Sequence, residues 1–140
     1  MFFDSHFNRN VIWDLFDGCS KMKTKKSKLR KLVEEADKLY QIKFIRENPT
    51  SIISGDLTEV AHHFIPKSQS NNLRYDEENG IPLTNGEHCR HHRSGDPSIV
   101  ARILAVKGQK WFDGLQLKRR EICKFYIGYL KSIIDKLNGN

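Results

Sequence analysis

Five of the six histidines lie between His62 and His92. Imidazole titrates near neutrality and is the commonest metal-ligating side chain, so such a cluster points to metal binding, proton transfer, or both. Two of the five are adjacent, in "AHHFIPKS", Ala61 to Ser68. Successive side chains on a strand leave on opposite faces, which gives His62 and His63 different surroundings and different tasks. The other three stand in "GEHCRHHR". On a helix, His88 and His92 are four apart and lie one turn above the other, so their rings can converge on one ion. His91, three from His88, competes for that partnership, and spacing alone leaves His91 and His92 as alternatives.

The elements that must carry these residues are legible in outline. From Thr24 to Glu47, Leu29, Leu32, Val33, Ala36, Leu39, Tyr40 and Phe44 recur at helical spacing, and Asn48-Pro49 stops the helix. "TSIISGDLTEVAHHFI" is rich in β-branched residues around a Gly-Asp turn, which predicts a short strand ending near His63. "PKSQSNNLRYDEENG" is a polar loop of the length that usually serves function. Its Asp76, Glu77 and Glu78 read as shaping the loop rather than binding metal. Asn79-Gly80, taken alone, is a turn signal. "IPLT" supplies a second strand, and Asn85 is the expected N-cap of the histidine helix, which ends near Ser94-Gly95. Asp96-Pro97 opens a further helix that stops at Gly108. A last helix is expected from Lys118 to Leu137, with Ile122, Phe125, Tyr126, Tyr129, Leu130, Ile133, Ile134 and Leu137 facing inward. Residues 1–23 form a separate aromatic segment, in which Val11, Ile12, Leu15 and Phe16 have the spacing of a short docking helix.

Composition bounds the rest. The chain has 140 residues, 38% of them hydrophobic, enough for one domain with a modest core. No apolar run is long enough for a membrane span, and the N-terminal stretch does not read as a secretory signal. Cys19, Cys89 and Cys123 form no Cys-x-x-Cys pair, so a disulfide framework and a cysteine zinc site are not expected, and the compartment reads as reducing and cytoplasmic. The formal net charge is +7, and "KMKTKKSKLRK", Lys21 to Lys31, carries no acid. Such a run is a solvated helix face or a phosphate-tracking surface, which favours a nucleic-acid partner.

The order strand, His-His, loop with asparagine, short strand, histidine helix resembles the HNH (ββα-metal) endonucleases over about Leu57 to Gly95. The resemblance implies an α+β fold: one domain over 24–140, with a helix at 24–47, a ββα-metal core over about 52–95 and flanking C-terminal helices at 96–138. It implies that His63 is the general base, that His62 is a metal ligand, and that Asn79, the asparagine of the motif, braces the loop. His88 matches the final histidine of the motif, and His92 matches the further ligand seen one turn later in the DNase colicins.

A narrower likeness, through "ADKLYQIKFIRE", "AHHFIP", "LRYDEENG" and the segment ending "RSGDP", is to phage recombination endonucleases of the lambda Rap (NinG) type. Those proteins have glycine at the position of His62 and a Cys-x-x-Cys pair where Thr84 and Glu87 stand. The expected activity is therefore hydrolysis of DNA phosphodiesters, duplex or branched, by one divalent ion (Zn, Mn, Mg or Ni), leaving 5′-phosphate and 3′-hydroxyl ends. The setting would be recombination or genome processing in a bacterial host's cytoplasm. Phosphate contacts are expected from Lys67, Arg74, Arg90, Arg93, Lys25 and Lys26. The competing expectations are a non-catalytic DNA-binding module stabilised by zinc and, below it, an RNase.

Overall fold

The computed structural model describes residues 26–139. Residues 1–25 lie outside the described residues, and with them the aromatic segment, its docking helix and Lys25. In chain order the described residues form α1 (Lys28–Glu47), β1 (Val60–His63), β2 (Gly80–Leu83), α2 (Asn85–Ser94), α3 (Pro97–Lys107), α4 (Gln109–Arg119) and α5 (Ile127–Leu137). One 3-10 turn, Glu77–Asn79, precedes β2. The fold class is α+β.

The two strands pair antiparallel in the register Val60↔Leu83, Ala61↔Pro82, His62↔Ile81 and His63↔Gly80. Alternation then sorts the side chains. Ile81 and Leu83 pack with Ile99 and Ile103 of α3, and Val60 joins that cluster. On the other face Ala61 joins Ala36, Tyr40 and Phe44 of α1, and Leu130, Ile134 and Leu137 of α5. Each face of a ribbon too small to be stable alone is thus covered by helix. Ile65 and Leu73, from the loop between the strands, pack on Leu115 of α4 in a third cluster.

Local chemistry sets the helix ends. α1 begins later than its apolar periodicity suggests, because Ser27 is extended and its hydroxyl accepts the Arg30 N–H. The N-cap of α2 is Thr84 rather than Asn85: the Thr84 hydroxyl accepts the Glu87 N–H, and the Glu87 carboxylate accepts the Thr84 N–H at 2.8 Å. Glu87 is buried and also accepts the Ser51 hydroxyl at 2.6 Å, which ties the histidine helix to the segment before β1. Gly95 ends α2 in the left-handed region (φ 58°), and Asp96 caps α3 with Pro97 at its first turn.

The expected helix from Lys118 to Leu137 is instead two. α4 stops at Arg119, residues 120–126 are not helical, and α5 starts at Ile127. Lys118 reaches the loop acids Asp76 and Glu78, whereas α5 lies on α1, so the chain must turn between the two surfaces. The loop adds hydrogen bonds at the turn: Asn72 Nδ2 donates to Lys118 O, which also accepts the Glu121 N–H, and Asn71 Nδ2 donates to Cys123 O. Ile122, expected to face inward, is 90% exposed.

Asn79-Gly80 is not a turn. Gly80 is extended (φ −79°, ψ 136°), opposite His63 on the face covered by α1. A methyl group there would fall on the Phe44 ring and the Tyr40 hydroxyl. Gly80→Ala is accordingly expected to destabilise the protein by about 1–3 kcal/mol. A denaturation midpoint equal to that of the parent would show that α1 does not press on this strand.

Candidate metal centre

His62 is buried on the α2 side of the ribbon, with its ring centroid 5.3 Å from that of His88, 4.9 Å from His91 and 5.2 Å from His92. One helical turn brings the His88 and His92 rings to 4.5 Å. Ligand nitrogens of His62, His88 and His92 all lie within 4.8 Å of one another. Three nitrogens about 2.1 Å from one ion stand roughly 3.4 Å apart at tetrahedral angles, so side-chain adjustments of about an ångström close the set. A donor set of neutral imidazoles fits zinc, nickel or copper better than magnesium. His91 is the fourth ring of the cluster, and its Nδ1 is buried with no hydrogen-bond partner among the described residues.

Burial, reinforced by the neighbouring imidazoles His91, His88, His92 and His63, drives the pKa of His62 from 6.5 down to about 3. His88 and His91 are lowered for the same two reasons. Folding therefore favours the neutral, metal-ligating form of His62, His88 and His91.

His63 points the other way. Its ring stacks on Tyr40 of α1 at 5.2 Å, and its Nε2 lies 2.8 Å from the carbonyl oxygen of Arg74. A carbonyl only accepts, so Nε2 carries the proton and Nδ1 is left as the basic nitrogen. Burial lowers the pKa of His63, partly opposed by that carbonyl. The ring is a neutral base with one defined tautomer. Both histidines of the doublet nevertheless line one cleft of about 330 Å3, with Gln41, Phe64, Pro66, Lys67, His88, His91 and His92.

The carbonyl that orients His63 is itself fixed. Asn79 is fully buried; its Oδ1 accepts the Ile65 N–H, and its Nδ2 donates to the carbonyls of Ile65 and Leu73. Both ends of the loop are thereby clipped, next to Arg74. The Arg74 side chain makes a two-pronged pair with Asp37 on α1, Nε–Oδ1 2.9 Å and Nη2–Oδ2 2.6 Å.

The structure thus brings together His62, His88 and His92, adds His91, and turns His63 toward the loop. It does not leave all the expected phosphate contacts free. Arg74 is engaged by Asp37, Lys67 shares that carboxylate at 3.3 Å, and Lys26 pairs with Glu34. Arg90 and Arg93 are exposed on α2. Asp76, Glu77 and Glu78 are held by Lys118 and Lys43, not aimed at the histidines. Asp37 and Gln41, which the sequence does not mark, and Tyr40, which it marks only as part of the apolar stripe, all support the doublet from α1; their shared signal is one helical face. The chain matches no family model, no curated protein and no solved structure.

Two outcomes follow from this geometry. Asn79→Ala strands three backbone groups of the loop and is expected to cost roughly 3 kcal/mol. Hydrogen exchange at the Ile65 amide should rise with it, and unchanged protection there would contradict the bracing role. Imidazoles kept neutral by folding let the unfolded chain bind more protons on acidification. Stability of the metal-free protein is then full above the unfolded value of 6.5 and lost as the pH falls from there toward 3. Urea midpoints between about pH 8 and about pH 5 measure this, and a midpoint that rises on acidification rejects the buried neutral cluster.

Proposed function

We propose that the chain is a metal-dependent DNA endonuclease of the HNH type, of the kind used in phage recombination or genome processing. The observation that carries the reading is one cleft holding two kinds of imidazole: a three-histidine donor set, and His63 turned by a loop carbonyl so that Nδ1 is basic. The order β1, loop with buried Asn79, β2, histidine helix also agrees with the ββα-metal arrangement.

Phosphodiesters resist hydrolysis because their anionic oxygens repel nucleophiles and their alkoxide leaving group is poor. Bound by His62, His88 and His92, a divalent ion would neutralise the scissile phosphate and stabilise the departing 3′-oxygen. His63 Nδ1 takes a proton from water as that water attacks. The resulting imidazolium keeps its Nε2–H bond to the Arg74 carbonyl, and the nearby Asp37 carboxylate offsets part of the repulsion from Lys67 and Arg74. Tyr40, stacked on the ring, prevents it from swinging out of line. Exposed Arg90 and Arg93, on the same helix as the ligands, offer contacts to the flanking backbone phosphates.

The competing reading, a non-catalytic module around a structural zinc, has no use for His63, an imidazole outside the cluster and oriented by its own carbonyl. Plasmid nicking with zinc, nickel, manganese or magnesium separates the two. His63→Ala should lower the nicking rate by about 10²–10⁴ while zinc affinity is unchanged, and His62→Ala should lose both. A folded, metal-loaded His63→Ala protein that nicks as fast as the parent would remove His63 from the reaction. A parent that binds zinc and duplex DNA but never cuts would favour the structural site, and turnover on RNA alone would favour the RNase.

A further inference from the structure

β1 pairs with β2 on one edge only, and the described residues contain no third strand. An open edge exposes backbone N–H and C=O groups that a neighbouring strand would otherwise satisfy. At Ala61 those groups are satisfied by a side chain. Gln41 Oε1 accepts the Ala61 N–H at 2.9 Å, and Gln41 Nε2 donates to the Ala61 carbonyl at 2.8 Å. The two ends of a primary amide reproduce the donor–acceptor pair of a peptide group in a strand. Ala61 and Pro82 form a non-hydrogen-bonded pair of the ladder: the Pro82 carbonyl turns out of one edge and accepts the Ile52 N–H at 3.1 Å, and the Ala61 backbone groups turn out of the other.

Ala61 immediately precedes the histidine doublet, and Gln41 lines the same cleft. We propose that Gln41 is a positioning residue, a side-chain substitute for a third strand that fixes where His62 and His63 stand relative to α2 and the Arg74 carbonyl. The sheet ladder holds the doublet from one side and Gln41 holds it from the other. Without the amide, β1 keeps only the ladder. Its four residues can then rock about the β2 edge, and the rock carries His62 away from His88 and His92. It equally carries His63 Nε2 off a carbonyl that Asn79 and Asp37 keep still. Gln41 sits one turn after Asp37 and next to Tyr40, so a single face of α1 supports both histidines at once.

The consequence for function rests on the nuclease reading, but the positioning itself is testable without DNA. Gln41→Met keeps the volume and removes both hydrogen bonds, and Gln41→Ala removes the side chain. Leu137→Ala, in the same apolar cluster as Ala61 but with its side chain lining a separate hollow beside Leu39, Ile42 and Lys43, is the control for general loss of stability. Zinc affinity is read by competition with a chromophoric chelator. The ring nitrogens of His62 and His63 are read by long-range 15N–1H NMR on the full, metal-free chain. Both Gln41 variants should bind zinc about tenfold or more weakly, the usual effect of losing a partner behind the ligands. The His63 ring signals should move away from a single Nε2–H tautomer. Leu137→Ala should change neither, even where its melting temperature falls as far.

Zinc affinity within about twofold of the parent and unmoved histidine signals in both Gln41 variants overturn the proposal. So does a Leu137→Ala protein with the same changes, because the effect would then be stability alone. If the parent binds zinc yet never cuts DNA, the nuclease reading fails and Gln41 is judged on these two readouts. If it binds none, the His63 signals decide.

Discussion

Antiparallel pairing of β1 with β2 fixes which side of the ribbon each histidine takes, because His62 sits opposite Ile81 and His63 opposite Gly80. Every other feature of the site is arranged around that division. On one face α2 has to bring its own histidines to a buried ring. On the other face α1 has to approach closely enough to stack Tyr40 on His63, which Gly80 allows by presenting no side chain. The loop that joins the strands returns past the second face, and Asn79 holds it there.

The elements whose chemistry is local could be read before the structure. The β-branched run ending at His63, the strand after Gly80, the i and i+4 histidines and the Asp96-Pro97 helix start all depend on neighbours in sequence. What stayed hidden depends on contacts between distant residues. Nothing near Asp37 or Gln41 in the chain says that one holds Arg74 and the other holds Ala61. Asn79-Gly80 carries a turn signature, yet the asparagine is consumed by backbone groups of Ile65 and Leu73, and the glycine by two aromatic rings. The break after Arg119 was equally opaque: the apolar spacing runs through it, and only the divergent partners of α4 and α5 enforce it. Choice among His88, His91 and His92 needed the position of His62, which spacing could not supply.

Charge is distributed differently from what the net +7 suggests. Several cations are already paired: Lys118 with Asp76 and Glu78, Lys43 with Glu77, Arg74 and Lys67 with Asp37. Exposed pairs of this kind add little stability. The half-buried Arg74–Asp37 pair is different, because its two parallel hydrogen bonds fix a direction as well as a distance. Asp37 thereby draws a guanidinium inward, away from solvent, and turns its main-chain oxygen to use.

The two groups of histidines lie on segments separated by the whole strand-connecting loop. An ion shared by His62 and His88 would close everything between them into a ring, as a disulfide does, and so reduce the freedom of the unfolded chain. Glu87 already anchors the neighbouring turn of α2 to Ser51 on the near side of β1. The histidine helix would then be fastened to the chain on both sides of the strand. Loading with metal would therefore protect the loop around Asn71 and Asn72 from proteases as well as filling the site.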